Sequence, residues 1–121
     1  MIELKQEKER VILVAVSLQG QEDVESSLDE LSELAATAGA ETVGRLVQSR
    51  EAIHPGTYIG KGKIEELKDL IWETEATGII CDDELSPIQL GNMEDVLDTK
   101  VMDRTLIILD IFAGRASTNE G

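Results

Sequence analysis

A small, mostly parallel α/β sheet with flanking helices is the fold class this sequence predicts. Three observations carry that expectation. Val11–Val16 is an unbroken apolar run rich in β-branched residues, as expected of a strand buried on both faces. A helical stripe follows it: Val24, Leu28, Leu31, Ala35 and Ala38 recur at spacings of three and four. A second strand pattern begins soon after, and so short a connection around one helix favours a parallel crossover.

The elements follow in order. Residues 1–10 are charged and mixed, and read as a flexible N-terminal segment ahead of a domain over 11–113. The first helix should run from Val24 to Ala38 and stop at Gly39, because glycine accepts the left-handed conformation past a helix end. Glu41–Arg50 reads as the second strand, although Gly44 disturbs its alternation. Lys63–Thr74 is the second helix, with Ile64, Leu67 and Ile71 on one face; Trp72, the only tryptophan, is assigned to the core. Gly78–Cys81 is a short third strand, and Asp82, Asp83 and Glu84 after it read as a solvated acidic turn.

Ser86-Pro87-Ile88-Gln89 carries the clearest local signal. Ser86 suits the N-cap, Pro87 the first helical position, and Gln89 completes a capping box for a helix over Pro87–Leu97. Met93 belongs to its apolar face as core filler. Thr99–Met102 suggests a fourth strand. Asp103 is placed to cap a last helix from Arg104 or Thr105, in which Leu106, Leu109 and Phe112 keep helical spacing. Residues 114–121 are small and polar and read as the start of a linker to further domains.

The chemistry concentrates in Gly56–Lys63. Three glycines and two lysines fall within eight residues and lead directly into a helix. Such a loop can place backbone N–H groups and positive charge around an anion at the helix N-terminus. It is not a Walker A loop. Three residues, not four, separate Gly56 from Gly60, and neither Gly-Lys pair is followed by Ser or Thr. Gly56, Tyr58, Gly60, Lys61, Gly62 and Lys63 are therefore candidates for partner or phosphate contact, with Arg104 and Arg115 as further cations.

Much conventional site chemistry finds no support. His54 is the one histidine, and neither a catalytic triad nor a spaced metal-ligand set surrounds it. Cys81 is the one cysteine, so an internal disulfide is impossible. A formal charge of −14 disfavours nonspecific contact with nucleic acid or an anionic membrane. No signal peptide or membrane-length apolar run is present, which fits a cytoplasmic monomer. The residues alone thus describe a non-catalytic α/β domain that meets a partner through the Gly60 loop. A nucleotide-binding domain using Gly56–Lys63 and a protein-interaction domain stand as alternatives.

Three segments together resemble one family: Pro55–Leu67, Asp83–Glu94 and Asp103–Ala116. They look like the N-terminal domain of the HflX family of ribosome-associated GTPases, in the family's order and spacing. The resemblance implies a longer protein, in which this domain precedes a helical linker and a GTPase domain. It implies GTP and Mg2+ as cofactors of the full-length protein and none in this fragment. It implies the large ribosomal subunit as partner, through ribosomal RNA and protein, with a role in dissociating stalled ribosomes. It further implies that this domain contacts the ribosome and influences its own GTPase domain, and that some members bind adenine nucleotides through the N-terminal part. The chain departs from the family where Gly114, Ser117 and Asn119 replace a glutamine and two arginines, which removes positive charge from the end of the domain.

Overall fold

In the computed structural model, residues 8–18 and 23–118 are described, with side chains described as far as Gly114. Four strands form one parallel sheet in the order β2-β1-β3-β4. The strands are β1 (Glu9–Leu18), β2 (Ala40–Arg50), β3 (Gly78–Cys81) and β4 (Lys100–Asp103). The helices are α1 (Val24–Thr37), α2 (Lys61–Thr74), α3 (Pro87–Leu97) and α4 (Arg104–Thr118). The chain steps from β1 out to β2, then back across β1 to β3 and on to β4. With crossovers of one hand, that reversal puts α1 and α2 on opposite faces of the sheet.

The core accordingly has two halves. Val14, Val16, Ile79 and Cys81 point to one face, where Ile64 and Leu67 of α2 and Met93 and Leu97 of α3 cover them. Val11, Leu13, Ala15 and Ile80 point to the other, against Leu28, Leu31 and Ala35 of α1 and Ile107 of α4. The continuous apolar run of β1 is explained by this two-sided burial, since alternate residues serve different faces.

The uneven alternation of β2 has a specific cause. Val11 pairs with Thr42 but Ile12 pairs with Gly44, so Val43 is an extra residue in the ladder. A bulge of this kind resets the phase of the side chains. Thr42 reaches Ser32 of α1, whereas Val43 joins the core half under α2 and Gly44 lies under Leu70 of α2.

Several boundaries and placements differ from the sequence expectation. β1 begins at Glu9, because Arg10 is anchored by bonds from its guanidinium to the Thr74 carbonyl at 2.8 and 3.1 Å. α2 starts at Lys61, so Lys61, Gly62 and Lys63 form its first turn rather than a loop before it. α4 continues through residue 114 to Thr118. Trp72 is not core: it is 82% exposed. Each helical residue turns about 100° from the last, so Trp72 leaves the buried stripe that Ile64, Leu67 and Ile71 occupy. Residues 119–121 and 1–7 lie outside the described residues.

Candidate functional site: the Gly60 loop and the carboxyl ends of the strands

In an open parallel sheet, the crevice at the carboxyl ends of the strands, where the strand order reverses, commonly holds a ligand. Here it lies between β1 and β3, and the protein's own Tyr58 occupies it. Tyr58 is fully buried; its hydroxyl donates to Asp83 Oδ2 at 2.6 Å and accepts from the Val16 N–H at 3.2 Å. Burial first, and then the Asp83 carboxylate, raises the phenol well above its ordinary range, so it stays a donor.

Tyr58 pays for this position in backbone geometry: its φ is +70°, a region that residues other than glycine rarely enter. Bonds on every side hold it there. His54 and Tyr58 exchange backbone hydrogen bonds of 3.2 and 2.9 Å, closing a tight turn over Pro55–Thr57. Within the turn, His54 Nδ1 accepts from the Gly56 and Thr57 N–H groups at 3.0 and 3.1 Å. Two residues of α3 fasten the turn from outside: the Gln89 amide donates to the His54 carbonyl at 2.9 Å, and Asn92 donates to the Gly56 carbonyl at 3.0 Å. Gln89 serves the capping box as well, where it accepts from the Ser86 N–H while Ser86 Oγ accepts from the Gln89 N–H.

Gly60 joins this loop to α2. Its N–H donates to Gln48 Oε1 at 2.9 Å, and a Cβ there would stand 2.6 Å from Arg50 Nη1. Its dihedral angles are extended and open to any residue, and the atom in the way is the movable tip of the Arg50 side chain rather than the backbone of β2. As N-cap it offers no side chain, so the first-turn N–H groups of α2 have no side-chain cap. Lys61 and Gly62 are exposed at this end. Lys63 is half-buried and pairs with Glu66 at 2.6 Å, while Lys61 has no ion-pair partner among the described residues. The arrangement is a preformed loop that presents a helix N-terminus and a free cation to an anion.

The acidic turn after β3 departs from the solvated segment that the sequence suggests. Asp82 is buried and Asp83 half-buried, and only Glu84 is exposed. Consecutive residues point to opposite faces, and each aspartate meets a partner there. Asp83 takes the Tyr58 hydroxyl on the α2 face. Asp82 accepts from Arg104 Nε at 3.0 Å and from Ser27 Oγ at 2.7 Å on the α1 face. Arg104 also donates from Nη2 to the Ser27 carbonyl and Oγ, at 2.9 and 3.1 Å. Its guanidinium is thus engaged within the fold. Arg115 lies in α4, and its side chain is outside the described residues.

Asp103, fully buried, accepts from the Leu85 N–H at 2.7 Å and from the Leu106 N–H at 2.9 Å, so it caps α4 and fixes the turn before α3. Sequence reasoning missed the roles of Tyr58 and Asp82. An isolated tyrosine in a glycine loop was the one available hint. Among the described residues no group of His, Cys, Asp or Glu is arranged to hold a metal, and no helix is long and apolar enough to cross a membrane.

A family profile described as "GTP-binding GTPase N-terminal" matches residues 25–113, a span that holds the whole loop and the turn after β3. The chain belongs to the HflX GTPase family. It is 69% identical over its full length to the GTPase HflX of Lacrimispora saccharolytica, and covers 29% of that protein. To the Escherichia coli GTPase HflX it is 39% identical over 113 residues, which is 93% of this chain and 26% of the relative. The chain therefore spans under a third of the length of these HflX relatives, and corresponds to the family's N-terminal domain. Among solved structures, a GTP-binding protein of Sulfolobus solfataricus in complex with GDP superposes with a TM-score of 0.62 at 21% identity, over 86% of this chain and 30% of that one. This likeness concerns the fold alone.

Proposed function

We propose that this HflX-family domain is the ribosome-contacting and regulatory part of a GTPase that binds the large ribosomal subunit and helps to dissociate stalled ribosomes. Hydrolysis of GTP with Mg2+ is assigned to a separate GTPase domain, and this domain is non-catalytic. The carrying observation is the preformed Gly60 loop, which presents Lys61, Gly62 and Lys63 around an N-terminus of α2 that no side chain caps. Ribosomal RNA phosphate is the ligand this arrangement suits, and Tyr58 and Arg104 act by holding the loop and the strand ends in place. The filled crevice favours this reading over a nucleotide held between β1 and β3. Exposed Leu109 and Phe112 on α4 support docking of the domain against its own GTPase portion.

The test is cosedimentation with large ribosomal subunits at two salt concentrations. Replacing Lys61 and Lys63 together with alanine should weaken binding and flatten its salt dependence by about two charges, with the melting temperature nearly unchanged. Undiminished binding by the double variant would remove the phosphate role of the loop.

A further inference from the structure

The turn over Pro55–Thr57 is built around the ring of His54, the one histidine of the chain. Its Nδ1 accepts from two successive backbone N–H groups, those of Gly56 and Thr57, at 3.0 and 3.1 Å. The side-chain oxygen of Asp or Asn accepts from following N–H groups in the same way in an Asx turn. An imidazole can do so only while Nδ1 carries no proton, which puts the proton of the neutral ring on Nε2. The ring packs closely on Gly56, where a Cβ would stand 3.3 Å from Cε1. The other bonds that close the turn come from backbone groups and from the amides of Gln89 and Asn92, none of which titrates. Charged groups face the ring from α2: Lys61, Glu65 and Lys68 edge the groove that His54 shares with Val96 of α3. Glu65 is already engaged by Lys68 at 3.5 Å. On the chain around His54, Glu51 is exposed and Arg50 donates to the Ala52 carbonyl at 2.8 Å. Asp83 is taken up by the Tyr58 hydroxyl.

We propose that the Gly60 loop is a proton-operated strap: neutral His54 holds the Pro55–Thr57 turn closed, and protonated His54 releases it. Protonation turns Nδ1 from an acceptor into a donor and sets it against the Gly56 and Thr57 N–H groups. The acceptor in reach is Thr57 Oγ1 at 3.4 Å, too long for a strong bond. The added charge also faces two lysines against one glutamate that is already paired. Backbone strain acts in the same direction. Tyr58 has φ +70°, and a residue stays in that region only while surrounding bonds hold it there. Tyr58 keeps its bonds to Val16 and Asp83, so the release is local to the turn and leaves the sheet intact. The strap goes beyond the ribosomal reading and depends on no partner.

The closed turn needs an unprotonated Nδ1, so closure is present at the higher pH and lost as pH falls. Amide exchange of the chain, expressed relative to the intrinsic rate at each pH, tests this at about pH 7.5 and about pH 5.5, on either side of the range where an imidazole ordinarily titrates. Protection of Gly56 and Thr57 should fall about tenfold at the lower pH, as expected for the loss of two hydrogen bonds. Protection of Ile12 and Leu13 in β1 should not change. His54→Asn supplies an oxygen acceptor that takes up no proton, and should keep the turn protected at both pH values. His54→Ala should leave it unprotected at both. The nitrogen resonances of the His54 ring should show the proton on Nε2 at the higher pH. A ring proton on Nδ1, protection that does not change with pH, or an equal loss in β1 overturns the strap. So does the same loss in His54→Asn, which would assign it to another group such as Asp83, or full protection in His54→Ala.

Discussion

Asp82 and Asp83 are sequence neighbours at the end of one strand, yet they close opposite faces of the sheet by different means. On the α2 face Asp83 meets the neutral, fully buried Tyr58, which brings the connection over residues 51–60 with it. On the α1 face Asp82 meets the cation of Arg104, which ties the first turn of α4 to Ser27 of α1. The first closure positions a surface that can meet a partner. The second fixes the angle at which the last helix leaves the sheet. The contrast shows how one acidic turn can serve presentation on one side and anchoring on the other.

The largest expected effect breaks the Tyr58 side. Tyr58→Ala removes a buried aromatic side chain and leaves Asp83 and the Val16 N–H without their partner, and should cost about 3–5 kcal/mol in denaturant unfolding. Its signature should be local as well as global, with amide exchange over Ile53–Gly60 accelerating beyond that of β1. Uniform acceleration would show that Tyr58 is ordinary core and not the tether of the loop.

Arg104→Met should come next. It keeps most of the aliphatic stem but strands the buried Asp82 carboxylate, at a cost of about 2–3 kcal/mol. The loop should keep its protection, because the two closures sit on opposite faces. Loss of protection at Gly56–Gly60 in this variant would mean that the closures are coupled through β3. Combining it with Tyr58→Phe sharpens the question: additive losses mean independent closures, and a coupling of more than about 0.5 kcal/mol means a single network.

Ser86→Ala is the smallest. It removes one half of the capping box and should lower stability by about 1 kcal/mol. Gln89 also holds the His54 carbonyl, so a further modest rise in exchange at Gly56 and Thr57 is expected. A melting temperature equal to that of the parent would mean that the Ser86 side chain contributes no cap.

The fold was largely legible because its elements are written in short-range patterns. The apolar run of Val11–Val16, the stripe from Val24 to Ala35 and the Ser86–Gln89 box need only nearest neighbours and helical or strand periodicity. α3 and β3 have the expected bounds for this reason. The site was less legible. Lys61–Lys63 appear as a cationic glycine segment in the sequence, but their place in the first turn of α2 depends on Gly60 meeting Gln48 from β2. Trp72 was assigned inside because hydrophobic residues are on average buried. Its outward position follows from its phase on α2, which is fixed by where Ile64 and Leu67 find the sheet.

The sequence by itself determined the order of strands and helices, the two-sided burial of β1 and the start of α3, since each follows from residues within about a dozen positions of one another. Only the tertiary structure decided that Tyr58 fills the crevice, that Asp82 and Asp83 part to opposite faces, and that Arg104 closes against Ser27. Those bonds join residues 42, 25 and 77 positions apart. No local pattern encodes such pairings; they arise when the crossovers bring the carboxyl ends of β1 and β3 together and buried polar groups must find partners there.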